Sequence, residues 1–292
     1  MMDINYELYK VFYHVAASLS FSEASKQLYI SQSAVSQSIK TLERKLGQTL
    51  FIRSTKRVQL TPEGELLLRH VEPAVKLIHR GEAQLQDAAS TGGQIRIGAS
   101  DTICRYFLVP YLERFHKDFP NVHLKVINQT SIKCVELLKN AQADLIVTNY
   151  PNPHLGSAPA VRKIKTFRDV FIANHSFDFL KRKKLTFQEL SRYPILMLDR
   201  QSTTSEFLHN QFQQHQLDLV PEIELTSNDL LIDLARIGLG IAFIPDYCIA
   251  DNMEELFIVD TVEELPKRDL VIAYNEQTPL PHAVAEFLNY FK

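Results

Sequence analysis

The sequence has little of what membrane insertion or export requires. No uninterrupted apolar stretch approaches the length that spans a bilayer, so we predict no membrane insertion. The first ten residues carry Asp3, Glu7 and Lys10 and lack the basic and apolar regions of a secretory signal. With 45% hydrophobic and 23% charged residues, the composition is that of a folded globular protein. We therefore expect a cytoplasmic protein.

Patterns typical of metal binding, disulfide formation and catalysis are also missing. The three cysteines, Cys104, Cys134 and Cys248, lie far apart without metal-ligand spacing, so we expect reduced thiols, with a redox switch as the alternative. The ten histidines show neither HExxH nor paired-ligand spacing, so no metal site is predicted. No nucleophile elbow or catalytic carboxylate pair is visible. We predict no cofactor, no catalytic residues and no enzymatic activity.

Positive charge is concentrated in one segment, although the whole chain has a net charge of -2. Between Ser31 and Leu60 the only acidic residue is Glu43, and the local balance is +6 - 1 = +5. Such a segment suits the phosphates of nucleic acid, but it could also be a solvated basic face without a partner. Its basic residues are Lys40, Arg44, Lys45, Arg53, Lys56 and Arg57.

Apolar periodicity predicts three short helices in the same region. The first ends near Ser18, Ser22 can cap the second, and Ser31 can cap the third, which Gly47 ends. Along the third helix an apolar face is predicted to pack on the first two helices. That face consists of Val35, Ile39, Leu42 and Leu46.

The opposite face of the third helix is polar, which suits the reading of DNA. Short hydroxyl side chains allow close approach, and glutamine can pair with adenine through two hydrogen bonds. The second and third predicted helices, of which the third presents this polar face, therefore predict a helix-turn-helix. The segment from Leu50 to Leu60 then predicts a two-stranded wing with a basic tip that contacts the DNA backbone or the minor groove. The predicted DNA-binding residues are Ser31, Gln32, Ser33, Ser36, Gln37, Lys40, Arg53, Lys56 and Arg57.

The run from Phe21 to Gly64 resembles the winged helix-turn-helix signature of the LysR-type transcriptional regulators. An ordered series over some forty positions is far more specific than a lone helix-turn-helix pattern. The resemblance implies a sequence-specific regulator that binds double-stranded DNA, with RNA polymerase as a further candidate partner. Its marks are Ala24, Leu28, Ser31-Gln32, Ala34-Val35-Ser36, Leu42-Glu43, Leu46-Gly47, Leu50-Phe51 with Arg53, and Leu60-Thr61 with Gly64.

A long helix is predicted to follow the wing, with Thr61 as its cap and Pro62 in its first turn. An approximate heptad along it predicts pairing with a second copy of the chain, giving a homodimer. The resemblance implies a homotetramer as the other assembly, and the sequence does not decide between the two. The alternative is an ordinary helix packed on its own domain. Pro73 should kink this helix, because an interior proline removes a backbone hydrogen bond. The heptad residues are Leu67, Val71, Ala74, Ile78, Leu85 and Ala88.

Beyond residue 90, strand and helix patterns alternate, which predicts an α/β region with largely parallel sheets. The resemblance implies a fold like that of periplasmic binding proteins, in which two Rossmann-like subdomains are joined by crossing strands near Val161–Thr166 and Leu270–Tyr274. The predicted domains are a winged helix-turn-helix at 1–60, a linker helix at 61–90, and an effector-binding domain at 91–292. Subdomain I comprises 91–161 and 268–292, and subdomain II comprises 162–267. The predicted strands are Ile95–Ala99, Leu124–Ile127, Leu145–Thr148, Ile195–Leu198, Ile223–Leu225 and Ile241–Ile244.

Hydroxyl-rich segments follow the ends of the predicted strands, where ligands bind in open parallel sheets. Each hydroxyl can also serve only as a helix cap. The resemblance implies that these positions hold a small-molecule effector, often a carboxylate or other small anion, although Asp101 could instead accept from an ammonium group. The alternatives are an architectural DNA binder without a ligand and, less favoured, an enzyme on the α/β region. The predicted effector-binding residues are Ser100, Thr102, Thr130, Ser131, Thr148, Ser202, Thr203 and Thr226.

Overall fold

A computed structural model describes residues 4–53, 57–88, 92–157, 159–249, 255–276 and 279–291. The chain divides into two units, Met1–Gln86 and Asp87–Lys292. The first is helical with one hairpin, and the second contains two sheets covered by helices. Within the described ranges, no helix combines the length and the apolar character needed to span a bilayer.

The first unit begins with three short helices whose caps explain their limits. Ser31 Oγ accepts from Ala34 N, and Gly47 ends the third helix in the left-handed conformation, both as predicted. The cap of the second helix is Ser20, so the prediction of Ser22 was wrong. Phe21 is buried in the core, which favours starting the helix at that residue. The elements are α1 (Tyr6–Ser18), α2 (Phe21–Leu28), α3 (Gln32–Leu46), β1 (Phe51–Arg53), β2 (Val58–Leu60) and α4 (Pro62–Ala88).

The first half of α4 completes the core of this unit. Val71 and Val75 are buried with Phe12, Ile39 and Leu50. The prediction that Val71 contacts a second copy of the chain was therefore wrong, because the first turns of α4 pack on the chain's own core. The helix runs on through Pro73 to Ala88, and a kink at that proline stays a prediction.

The second unit begins with helices that alternate with strands of the first sheet. The helix after β3 contains a π-helical turn, Cys104–Leu108, between its first and last parts. After strand Ala160–Phe167 of the first sheet, the chain enters the second sheet at Asp169 without an intervening helix. The elements up to this point are β3 (Gln94–Ala99), α5 (Asp101–Ile103), α6 (Val109–Asp118), β4 (His123–Asn128), α7 (Ser131–Lys139), β5 (Leu145–Tyr150), β6 (Ala160–Phe167) and β7 (Asp169–Asn174).

The rest of the chain builds the second sheet and then returns to the first. Val284 and Phe287 of the last helix are buried in the core of the first sheet. The elements are β8 (Lys184–Leu185), α8 (Phe187–Leu190), β9 (Ile195–Leu198), α9 (Thr203–Gln214), β10 (Ile223–Leu225), α10 (Asn228–Arg236), β11 (Ile241–Pro245), β12 (Leu256–Thr261), β13 (Arg268–Tyr274) and α11 (His282–Asn289).

The two sheets confirm the predicted fold of two α/β subdomains joined by crossing strands. The first sheet has the order β4-β3-β5-β13-β6, and the second has the order β10-β9-β11-β7-β12-β8. In the first, β3, β4 and β5 are parallel, whereas β13 is antiparallel to both β5 and β6. The crossing strands β6 and β13 thus pair with each other. All parallel strands of each sheet end at one edge, which is where a ligand site is expected.

Candidate functional site

The turn between α2 and α3 holds the two helices of a helix-turn-helix. Tyr29 ends α2 with a φ of 55°, and its N–H donates to the Lys26 carbonyl. Its side chain is 95% exposed, so the turn presents an aromatic ring to solvent. Two residues later, Ser31 caps α3. This arrangement is the one in which the second helix enters the major groove of DNA.

Helix α3 is divided into a buried face and an exposed face, as predicted. Val35, Ile39 and Leu42 are buried, and Leu46 is half-buried. On the other side Ser31 Oγ lies 2.9 Å from Ser33 Oγ, so both hydroxyls stand at the exposed N-terminus of the helix. Ser36 is half-buried, and the exposed polar residues are Ser31, Gln32, Ser33, Gln37, Lys40 and Arg44.

The predicted wing is present as a hairpin in which β1 and β2 run antiparallel. Glu43 Oε1 accepts from Leu50 N at 2.9 Å and Phe51 N at 3.3 Å, which ties α3 to the start of the wing. Arg53 ends β1, and Arg57, just before β2, has an exposed side chain. Lys56, at the predicted basic tip, lies outside the described residues, so its contact with DNA stays a prediction.

A close backbone contact holds the wing against α4. Thr61 Oγ1 donates to the Thr49 carbonyl at 2.7 Å and accepts from Gly64 N at 3.0 Å, as its predicted capping role requires. A Cβ added to Gly64 would lie 2.2 Å from the Leu50 carbonyl oxygen. Only glycine fits at this position without displacing the start of the hairpin.

A cavity of about 360 Å³ lies in the second unit at the strand ends of both sheets. Six of the eight predicted effector residues line it: Ser100, Thr102, Thr130, Ser131, Ser202 and Thr226. Sequence reasoning also placed Asp101 among the effector positions, and Thr204, Ser227 and Asn228 belong to the same polar segments. It missed the other lining residues, which are Asn128, Gln129, Asn149, Leu198, Asp199, Pro245 and Tyr247.

The two remaining predicted residues lie beside the cavity and hold its wall. Thr148 is fully buried, and its Oγ1 accepts from Asn152 Nδ2 at 3.0 Å. Thr203 Oγ1 accepts from Asn149 Nδ2 at 3.4 Å. The neighbours Asn149 and Thr204 face the cavity in their place.

Side-chain caps place four helix N-termini around the cavity. Ser100, Thr130, Ser202 and Ser227 each accept a hydrogen bond from a backbone N–H two or three residues later. The first N–H groups of a helix have no partner within the helix, so helix N-termini favour a bound anion. Both sheets contribute such ends, and a ligand here would contact both subdomains.

Polar contacts already link the two walls of the cavity. Asn228 Nδ2 of α10 donates to Thr102 Oγ1 of α5 at 2.8 Å. Nearby, the Tyr106 hydroxyl donates to Asp229 Oδ1 at 2.5 Å. Burial and this hydrogen bond both raise the pKa of Tyr106, so the phenol stays protonated and remains a donor. The two subdomains are therefore in direct contact across the cavity.

Comparison with known protein families identifies both parts of the chain. Residues 6–65 match the bacterial regulatory helix-turn-helix of the lysR family, and residues 88–292 match the LysR substrate binding domain. The chain belongs to the LysR family. It is a DNA-binding transcriptional regulator with an effector-binding domain.

Several LysR-family proteins resemble the chain over much of its length. It is 30% identical to a probable RuBisCO transcriptional regulator of Cyanophora paradoxa over 82% of this chain and 76% of that one. Full-length CbnR, solved with its target DNA, has a TM-score of 0.64, 17% identity and 99% coverage of both chains. The Synechocystis PCC6803 CcmR regulatory domain, solved with 2-PG, has a TM-score of 0.62 and 21% identity, and covers 68% of this chain and 95% of that domain.

A buried ion pair behind the cavity of this LysR-family chain joins crossing strand β13 to β7, the strand that follows crossing strand β6. Arg268 at the start of β13 donates to Asp169 Oδ2 of β7 at 2.8 Å, and both side chains are at most 1% exposed. The same guanidinium donates to Thr204 Oγ1 at 3.2 Å and stacks on the Phe207 ring at 4.8 Å. This cluster connects the crossing point of the strands with the cavity wall.

Proposed function

We propose that this LysR-family regulator reads its operator with the polar face of α3 and responds to a small molecule bound in the cavity. The exposed N-terminal end of α3 supports the first part, because Gln32 and two serine hydroxyls stand where base edges would lie. The CbnR structure was solved with target DNA, and that protein shares this fold. The cavity between two linked subdomains supports the second part.

The basic residues beside α3 are proposed to bind phosphate and to set the position of the helix. Lys40 and Arg44 are exposed further along α3, whereas Gln32 stands at its beginning. Phosphate contacts fix position and provide salt-dependent affinity, and base contacts provide sequence preference. The two groups therefore have separable effects on binding.

A pair of variants tests this division of roles. Selection of duplexes from a random pool by the Gln32→Ala variant should return a less restricted sequence at one or two positions. Lys40→Ala should retain the sequence preference, but should weaken binding to all duplexes and reduce the salt slope by about 1. The control is Lys117→Ala, which removes the same charge from an exposed site in the second unit. Equal loss of sequence preference in both α3 variants would contradict the proposal.

The effector is proposed to act by changing the closure of the two subdomains, which the crossing strands and the cavity contacts join. CcmR, whose regulatory domain was solved with 2-PG, provides a precedent for a ligand in this fold. Ligand binding between hinged subdomains shifts their equilibrium toward the form that binds more tightly. No metal is assigned to this role, since the described residues hold no group of three or more metal-ligating side chains.

Thermal-shift screening of the full-length protein against metabolites tests the ligand. A ligand that binds only the folded state raises the melting temperature, by an amount that grows with concentration. Ser202→Leu should abolish that shift, because the side chain would fill the cavity, whereas Val220→Leu, at an exposed site, should retain it. An unchanged shift in Ser202→Leu would contradict the site. The absence of any shift would favour an architectural DNA binder.

Dimerisation through α4 is proposed to bring two copies of α3 to one operator. Beyond the part of α4 that packs on the chain's own core, Leu77 and Ile78 are each more than 40% exposed and Leu85 is 77% exposed. Apolar side chains at this spacing on a long helix are typical of a helix that pairs with another. We propose that the protein acts without catalysis.

A further inference from the structure

The cavity of this protein has an unusual charge for a site that would bind an anion. Its lining includes the carboxylates of Asp101 and Asp199, and none of its lining residues is lysine, arginine or histidine. Asp101 extends from the end of β3 in the first sheet, and Asp199 from the end of β9 in the second. A pure anion between them would be repelled from both walls.

Both carboxylates have an oxygen available for a ligand. Asp101 Oδ1 accepts from Asn128 Nδ2 at 3.1 Å, and Asp199 Oδ1 accepts from Gln201 N at 3.0 Å. Within the described ranges, neither Oδ2 atom accepts a hydrogen bond, and neither aspartate forms an ion pair. These bonds orient the carboxylates without neutralising them, which suits the binding of a cation.

Three cations near the cavity have other partners. Arg268 reaches Thr204, but its partner Asp169 makes the pair neutral. Arg105 Nε lies 3.6 Å from Asp229 Oδ1, so the charge of this arginine is also balanced by an acid. Lys165 Nζ lies 5.2 Å from the Tyr247 ring centre, and the lysine is not among the lining residues.

Two buried amides add acceptors to the cavity. Asn149 and Asn228 line it and are only 6% and 4% exposed. Their nitrogens donate to threonine hydroxyls, and within the described residues their Oδ1 atoms have no hydrogen-bond partner. A buried acceptor without a partner is unfavourable, so a ligand N–H group that reached either oxygen would be favoured.

The cavity also offers hydrogen-bond donors for a carboxylate. The N-terminal residues of α7, α9 and α10 line it, and each of these helices has nine or more residues. Leu198, Pro245 and Tyr247 add an apolar wall. From this combination we infer that the effector is a small amino acid, with its ammonium group between Asp101 and Asp199 and its carboxylate at the helix N-termini. This inference rests on the proposed function of the cavity as the effector site.

Calorimetry on the full-length protein can separate the two charged groups of the ligand. The probes are the standard L-amino acids, the 2-oxo acids that correspond to leucine, valine and phenylalanine, and the primary amines left when these three lose their carboxylate. We expect one or more amino acids to bind at least tenfold more tightly than a matched 2-oxo acid or amine. Tighter binding of the 2-oxo acids would overturn the inference while leaving the cavity as an effector site.

Variants then test the role of the aspartates. The variants Asp101→Asn and Asp199→Asn retain the shape of the side chain. Each should weaken the binding of the amino acid at least tenfold. Asp260→Asn makes the same charge change on exposed strand β12, away from the cavity, and should not alter binding. Unchanged affinity in both cavity variants overturns the inference. If no amino acid binds but another metabolite shifts the melting temperature, the inference fails alone, and if nothing binds, the proposed function fails with it.

Discussion

The three cysteine side chains are placed where burial suppresses their ionisation. Burial raises the pKa of the Cys104 thiol to about 11 and that of Cys134 to about 12, and it raises the pKa of Cys248 still further. Because the thiolate is the reactive form, a thiol with these values reacts slowly at neutral pH. A rise from 9.0 to about 11 lowers the thiolate fraction at Cys104 about a hundredfold.

We therefore predict that the folded protein reacts slowly with a thiol reagent at pH 8. All three cysteines should react rapidly after unfolding in urea, which serves as the control for reagent activity. Absorbance of the released thiolate product measures both rates. One thiol reacting in the folded state at the unfolded rate would contradict this prediction and support the redox switch considered from the sequence.

Gly64 and Gly81 lie on the same helix, and their substitution by alanine should have opposite effects. At Gly64 the added methyl would meet the Leu50 carbonyl, which should lower the free energy of unfolding by about 1–3 kcal/mol. At Gly81 the added carbon would meet no described atom within 4 Å apart from the helix's own nearby backbone, so alanine should stabilise the helix by up to about 1 kcal/mol. Urea denaturation measures both, and equal effects would contradict the packing at Gly64.

Individual site residues were predictable to the extent that they belong to a local pattern. The cap Ser31 and the buried Val35 follow from helix periodicity, and six of the predicted hydroxyls line the cavity. Thr203 and Thr204 could not be distinguished, because which of two adjacent hydroxyls faces a cavity depends on the rotation of α9. The contact of Asn149 with α9 depends on how two sheets meet, which no local pattern encodes.

Helices and strands in the parallel parts of the sheets were predicted closely. Strands β9 and β10 have the predicted limits, because their apolar runs are bounded by turns and helices. Strands β7 and β12 were not predicted as strands. Alternation of strand and helix indicates parallel strands, whereas β7 follows β6 without a helix and pairs antiparallel with β11 and β12.

The exposed apolar side of α4 leads to a prediction about assembly. Replacing both Ile78 and Leu85 with glutamate should shift the protein toward the monomer, because like charges would face each other across the helix pair. Val220→Glu, at a site that is 79% exposed in the second unit, is the matched control and should leave the assembly unchanged. Sedimentation velocity measures the mass of the assembly. A variant with the wild-type mass would rule out this face of α4 as the dimer interface.

At the scale of the whole second unit, the buried pair Arg268–Asp169 holds crossing strand β13 against β7 of the second sheet. Arg268→Met would leave a buried carboxylate unpaired and should lower the free energy of unfolding by about 3–5 kcal/mol. Lys163→Met removes a cation from the exposed pair with Asp269 and should change stability by less than about 1 kcal/mol. Similar losses in the free energy of unfolding from the two variants would show that the buried ion pair contributes no more to stability than the exposed one.

The effect of Arg268→Met should also depend on pH. Burial raises the pKa of Asp169, and Arg268 is the first of the groups that lower it. Without the arginine, Asp169 should be protonated in the folded state at a pH where it is ionised in the unfolded chain. The free energy of unfolding then falls as the pH rises above the pKa that Asp169 has in the unfolded chain. The deficit measured in urea should therefore be smaller at pH 5 than at pH 8.

Strand β13, which lies between β5 and β6 in the first sheet, follows every strand of the second sheet along the chain. Until it emerges from the ribosome, β5 and β6 lack the partner that separates them, whereas all strands of the second sheet have already been synthesised. The second sheet can therefore be completed before the first, and the ligand cavity forms only after β13 has been added.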